Sequence, residues 1–219
     1  MIPKNYTYLS INYQRIWEYY LLSLLGMFVA FMIGDSCIKL MSQLSETPIP
    51  RRVELEPFLR DKGIVWYFII LVIWTPIFEE LMFRFWLLGG QYRVKVSAAV
   101  VLTIFALKWF EIPFSTFYII SIPTIFLIYG LSQFVKLPVT TIARHPRAML
   151  FISTIIFALL HLSNYNINDS NWFIQFPLIF PQFFSGWLFG YLRMKHGFIY
   201  CIALHAMDNF THFIAMVLF

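Results

Sequence analysis

The chain has 219 residues, of which 60% are hydrophobic and 12% are charged, and its mean hydropathy is +0.72. Globular domains average roughly 45–50% apolar and about 25% charged residues, so this composition excludes an ordinary water-soluble domain. The formal charge of +5 does not indicate nucleic-acid binding, because basic residues collect between apolar segments, as in loops held at a negatively charged membrane face. These basic pairs are Arg51/Arg52, Arg93/Lys95, Arg144/Arg147 and Arg193/Lys195.

Seven apolar segments approach the length that a membrane span requires. A helix needs about 20 mostly apolar residues to cross a hydrocarbon core of about 30 Å. The segments are residues 17–41, 64–88, 96–110, 114–135, 149–162, 172–194 and 198–219. They lack the two-residue alternation of barrel strands, and backbone polar groups in lipid must be satisfied within the protein. The sequence therefore predicts an all-α fold, a polytopic transmembrane bundle of about seven helices.

Two polar segments divide this pattern. Residues 42–63 contain three prolines and charges of both signs, which predicts a loop or a short interfacial helix. Residues 163–171 carry Asp169 but no cation, so we expect them to lie away from the cytoplasm. We divide the chain into an N-terminal transmembrane helix with its polar loop, residues 1–63, and a core of residues 64–219.

Three groups of polar side chains lie inside the apolar segments. Each ionisable group there costs roughly 2.5–3.5 kcal/mol on insertion scales, so its presence needs an explanation. A rise of about 1.5 Å per residue places all three groups within the membrane. They are Glu79, Glu80 and Arg84 in the second segment, Phe157 and His161 in the fifth, and His205, Asp208 and Asn209 in the seventh.

Residues four apart on a helix lie on one face, which predicts an ion pair between Glu80 and Arg84. That pairing leaves Glu79 free to act as a base. A purely structural Glu–Arg pair is an equally good interpretation of this group alone. The same spacing places the ring of Phe157 beside the imidazole of His161.

His205 and Asn209 are also four residues apart and share a helix face, and Asp208 and His212 form a second such pair. The alternative to a catalytic role is hydrogen bonding between helices, which His and Asn commonly supply in membrane bundles. We place Asp208 among the supporting groups. A carboxylate, two imidazoles and an amide at comparable depth suit a hydrolytic site, with a base to activate water and donors for the oxyanion.

These residues resemble the CPBP family of intramembrane endopeptidases, which includes the CAAX prenyl proteases and the abortive-infection and bacteriocin-processing membrane proteins. The family pattern is EExxxR, then FxxxH, then HxxxN. The ordered matches are Glu79-Glu80 with Arg84, Phe157 with His161, and His205 with Asn209. The chain departs from the pattern in having Phe85 where many relatives have glycine, and in an extra helical hairpin near residues 96–135.

The resemblance implies peptide-bond hydrolysis within the membrane. Glu79 would be the general base, His161 would bind or polarise the water, and His205 and Asn209 would stabilise the oxyanion. Glu80, Arg84, Phe157 and Asp208 would support these groups. No essential cofactor is expected, although Glu79, His161 and His205 are the residues that would hold a zinc ion if the enzyme uses one.

The sequence thus predicts a multi-pass membrane endopeptidase that acts on a membrane-associated peptide or protein. Membrane lipid is the other expected partner, and no binding of nucleic acid is expected. A prokaryotic inner membrane is the expected location. The alternative is a non-catalytic immunity or scaffold protein of the same fold. A small transporter fits less well, because we find no repeat symmetry or paired broken segments in the sequence.

Overall fold

The computed structural model describes residues 13–46, 49, 51–52, 63–110, 114–136, 139–166 and 175–218. Seven long helices make up most of this part of the chain, and each coincides with one of the predicted apolar segments. The all-α prediction is therefore confirmed. In chain order the helices are α1 Tyr13–Ser45, α2 Ile64–Leu88, α3 Gln91–Trp109, α4 Phe114–Ser132, α5 Pro146–Leu160, α6 Phe180–Lys195 and α7 Phe198–Leu218.

Four of the described helices are long and apolar enough to cross a membrane by themselves. They lie in Arg15–Ser45, Ile64–Leu88, Pro146–Asn164 and Phe198–Leu218, and the apolar part of α4, Ile120–Ser132, is shorter. Large apolar side chains are exposed along α1, where water would be an unfavourable solvent for them. The chain is an integral membrane protein.

Helix α6 lies at the centre of the bundle and packs against α1, α5 and α7. Glycines permit the close approach of the helix pairs. A Cβ atom added at Gly26 of α1 would lie 2.0 Å from the ring of Phe184, and one at Gly190 of α6 would lie 2.1 Å from Cδ1 of Leu150. Small residues at such crossings let helix backbones approach, which is how membrane helices gain packing energy.

Helices α3 and α4 form a hairpin at one edge of the bundle, and α3 connects it to α2. Lys95 belongs to this hairpin, is only 6% exposed, and donates from Nζ to the carbonyl of Gln133. Arg193 is likewise only 5% exposed within α6. The interpretation of these two cations as loop residues was wrong, because each lies within a helix and its side chain is buried against a backbone carbonyl.

A two-residue antiparallel ladder joins the loop after α1 to the loop after α5. Arg51 pairs with Asn166 and Arg52 with Tyr165, so both loops lie at the same end of the bundle. A one-turn helix, Thr140–Arg144, precedes α5. The predicted interfacial helix within residues 42–63, the segment around Asp169 and residues 172–174 of the predicted sixth span lie largely or wholly outside the described residues.

Helix α2 changes its hydrogen-bonding pattern along its length. It begins as an α-helix at Ile64–Phe68, widens to a π-helix at Ile69–Trp74, returns to an α-helix at Thr75–Phe83 and ends as a 3-10 helix at Phe85–Leu88. Such π segments inside α-helices are frequent at functional sites. Glu79 and Glu80 lie in the α-helical stretch that follows the π segment, and Arg84 lies at the end of that stretch.

The packing of α1 predicts the effect of substituting Gly34. A Cβ atom there would lie 2.5 Å from the backbone carbonyl oxygen of Pro177, which cannot rotate away. We expect Gly34→Ala to lower the free energy of unfolding by about 1–3 kcal/mol, the usual effect of overpacking. Gly130→Ala in α4 is the matched control, because nothing lies within 4 Å of its added Cβ. Thermal unfolding in detergent measures both; equal effects would contradict the packing described for α1.

Candidate active site

The C-terminal end of the α-helical part of α2 is fixed by hydroxyl groups from neighbouring helices. The chain leaves α-helical geometry at Arg84, so the last carbonyls of that helix lose their usual donors. Ser97 of α3 donates to the carbonyl of Leu81 at 2.6 Å, and Ser153 of α5 donates to that of Phe83 at 2.6 Å. These bonds supply partners that lipid cannot provide.

Arg193 of α6 completes the same end of α2. Its Nε donates to the carbonyl of Arg84 at 3.3 Å, and its Nη2 donates to that of Phe85 at 3.4 Å. The guanidinium also lies 5.6 Å from the ring centre of Phe85 and 5.1 Å from that of Phe198. The buried cation thus fixes α2 just beyond its carboxylates.

Glu80, Arg84 and His205 form a buried charged group between α2 and α7. Arg84 Nη1 donates to Glu80 Oε1 at 3.2 Å, and His205 Nδ1 lies 2.9 Å from the same oxygen. Because a carboxylate only accepts, His205 Nδ1 carries a hydrogen. The guanidinium carbon of Arg84 lies 3.9 Å from the ring centre of Phe157. The predicted Glu80–Arg84 pair is present, and it orients an imidazole as well.

Glu79 lies on the opposite side of that imidazole. Its Oε2 is 3.6 Å from His205 Nε2, and its side chain is 22% exposed while Glu80 and Arg84 are almost fully buried. His205 therefore stands between two carboxylates.

A cavity of about 620 Å³ opens beside Glu79. It is lined by six of the eight predicted site residues, from α2, α5 and α7: Glu79, Phe157, His161, His205, Asp208 and Asn209. Glu80 and Arg84 lie behind it. The rest of the lining is mainly apolar and includes Met27, Ile70, Leu71, Met82 and Leu160. A polar cluster against apolar surface is the usual form of a small-molecule or peptide pocket.

His161 enters the cavity from the end of α5. Its Nδ1 lies 2.8 Å from the carbonyl oxygen of Phe157, and since a carbonyl only accepts, Nδ1 is the donor. In the neutral ring, Nε2 is then an acceptor. The two rings lie 4.5 Å apart between centres, as the four-residue spacing predicted.

Asp208 and Asn209 have partners that the helical spacing did not indicate. Ser23 of α1 donates to Asp208 Oδ2 at 2.6 Å, and Asn209 Nδ2 donates to the carbonyl of Leu71 at 2.8 Å. His212 Nδ1 lies 3.0 Å from the backbone carbonyl oxygen of Asp208. The predicted Asp208–His212 pair is therefore a bond to the backbone, and α1 contributes a residue to the site.

Sequence analysis missed Ser23 because nothing marks it among the serines of α1. Ser36 on the same helix donates to the carbonyl of Met32, four residues earlier, as serines in membrane helices commonly do. Arg193 was missed because a cation at the end of an apolar segment resembles a loop residue. Only the packing of α6 distinguishes the two cases.

The proposed zinc ligands do not form a metal site in this structure. Among the described residues, no group of three His, Cys, Asp or Glu side chains is arranged to hold a metal ion. We therefore derive no chemical step through a metal.

One comparison with known proteins identifies the family. No curated protein and no solved structure matches the chain. The family model for the type II CAAX prenyl endopeptidase Rce1-like proteins matches residues 61–211. This segment contains the EExxxR, FxxxH and HxxxN elements and excludes α1. The chain therefore belongs to the Rce1-like family of type II CAAX prenyl endopeptidases, a family of membrane proteases.

Proposed function

We propose that the chain hydrolyses a peptide bond of a membrane-associated peptide or protein, with Glu79 as the general base. The observation that carries this proposal is the convergence of Glu79, His161 and His205 on one cavity inside the bundle. A carboxylate and two imidazoles that share a cavity can bind and activate a water molecule.

Glu79 is the carboxylate suited to proton transfer. Glu80 Oε1 accepts bonds from Arg84 and His205, whereas Glu79 makes no hydrogen bond and lies 3.6 Å from His205 at the cavity. An unpaired carboxylate oxygen in a water-poor cavity is a better base than one held by two donors. The two adjacent carboxylates therefore have separate roles, one in catalysis and one in orientation.

The reaction proceeds by addition of water to the scissile carbonyl. Glu79 removes one proton from water as the water oxygen bonds to the carbonyl carbon, and the carbonyl oxygen becomes an oxyanion. His161 Nε2 accepts a hydrogen bond from the water and orients it. When the C–N bond breaks, Glu79 returns its proton to the leaving nitrogen, which yields one carboxyl and one amine product. His205, oriented by Glu80 through Nδ1, lines the same cavity and, when Nε2 carries a proton, donates a hydrogen bond to the oxyanion.

A non-catalytic immunity or scaffold protein is the second candidate. Such a protein would use polar side chains only to hold helices together, and Glu80, Arg84 and Arg193 serve that purpose. Glu79 makes no such hydrogen bond; its side chain is 22% exposed and lines the cavity. This favours the enzyme. As to location, we propose a prokaryotic inner membrane, with the lipid around the bundle and the peptide in the cavity.

Comparison of Glu79→Gln with Glu80→Gln tests the division of roles. Glutamine cannot take a proton from water, so we expect Glu79→Gln to lower kcat by about 10²–10⁴-fold with little change in stability. Glu80→Gln leaves the buried Arg84 cation without its counter-charge, and we expect a loss of about 3–5 kcal/mol in the free energy of unfolding. Cleavage of membrane-anchored peptides and thermal unfolding in detergent are the measurements.

Native-like turnover by Glu79→Gln would exclude Glu79 as the base. If that variant instead kept full binding of a partner while the native protein cleaved no peptide in a broad panel, the scaffold interpretation would replace the enzyme.

Removal of metal ions tests whether peptide hydrolysis proceeds without a bound metal. We expect dialysis of the purified protein against a strong chelator to leave peptide cleavage unchanged, since no three of the described His, Cys, Asp or Glu side chains are placed to hold an ion together. The measurement is turnover before and after dialysis, together with the zinc content of the protein. Loss of turnover that added zinc restores would contradict the mechanism.

A further inference from the structure

Pro76 interrupts the backbone hydrogen bonds of α2, about one turn before Glu79. Thr75 donates its N–H to the carbonyl of Ile70, five residues earlier, as in a π-helix. By the same register, the carbonyl of Leu71 should accept from residue 76. Proline has no N–H, so Leu71 has no donor within its own helix.

Asn209 of α7 supplies the missing donor. Its side-chain Nδ2 lies 2.8 Å from the oxygen of Leu71. A carbonyl without a partner within the membrane costs several kcal/mol, and broken membrane helices are tolerated where neighbours satisfy the freed groups. The π segment and the amide of Asn209 therefore depend on each other.

The same face of α7 holds α2 at a second point. His205, one turn before Asn209, contacts Glu80 at 2.9 Å and Glu79 at 3.6 Å. The two attachments lie on either side of Pro76, where the helix is weakest. Together they set the rotation of the segment from Thr75 to Phe83, which carries both glutamates.

We propose that Asn209 is a positioning residue which replaces the backbone hydrogen bond lost at Pro76 and thereby orients Glu79 toward the cavity. This goes beyond the oxyanion role that the family resemblance implied, since one N–H of the Asn209 amide is already donated to the carbonyl of Leu71. The effect on turnover rests on the proposed function. The bond between Asn209 and the Leu71 carbonyl does not, because it can be tested through stability alone.

A double-mutant cycle with Pro76→Ala tests the stability of this arrangement. Alanine restores an N–H at residue 76, so the carbonyl of Leu71 regains a donor from its own helix. We expect Asn209→Ala to lower the thermal midpoint by about 2–4 °C in the native chain and by less than half as much in the Pro76→Ala chain. Asn164→Ala, which removes another cavity-lining amide, should have the same effect in both backgrounds.

The readout that separates positioning from oxyanion binding is rescue of turnover. We expect Asn209→Ala to lower kcat per folded molecule, and Pro76→Ala to restore much of that loss. Equal effects of Asn209→Ala in the two backgrounds, on both midpoint and kcat, would overturn the proposal. If the thermal midpoints were coupled but Pro76→Ala did not restore kcat, the bond from Asn209 would be purely structural. The claim that Asn209 orients Glu79 would then be rejected.

If neither the native protein nor any variant cleaved peptide, the proposed function would fail. The coupling of the thermal midpoints would still decide whether Asn209 replaces the hydrogen bond that α2 loses at Pro76. Pro76→Ser restores the same N–H and serves in the cycle if Pro76→Ala does not accumulate in the membrane.

Discussion

The structure depends on one constraint: inside a bilayer, each polar backbone group needs a partner from the protein itself. Helix α2 departs from regular α-helical bonding on both sides of its two glutamates. Asn209 supplies the missing donor at the first departure, and Ser97, Ser153 and Arg193 supply donors at the second. The segment that carries the glutamates is short and irregular at both ends. Bonds from four other helices hold it, so its geometry is more rigid than its own hydrogen bonds alone would make it.

The charged group between α2 and α7 follows from the same constraint. Arg84 cannot be exposed to lipid, so it pairs with Glu80, and Glu80 in turn holds His205. The buried ion pair thus also orients His205, the imidazole that approaches Glu79. Structural and chemical roles are therefore divided between neighbouring residues of a single helical turn.

Much of this arrangement could be predicted from the sequence. The seven segments follow from apolar length, and the Glu80–Arg84 pair and the contact of Phe157 with His161 follow from the four-residue helical spacing. The bonds of Ser23, Arg193 and Asn209 could not be predicted, since each joins residues that are more than 100 positions apart in the chain. Local periodicity carries no information on which helices become neighbours.

Helix α1 lies outside the segment that matches the family, but it provides Ser23 to Asp208 and Met27 to the cavity. The two-residue ladder also links the region of α1 to the site. Tyr165 directly follows the 3-10 turn that begins at His161, and it is hydrogen-bonded through the ladder to the loop after α1. A continuous path of main-chain bonds therefore joins that loop to the residue that carries the imidazole at the cavity.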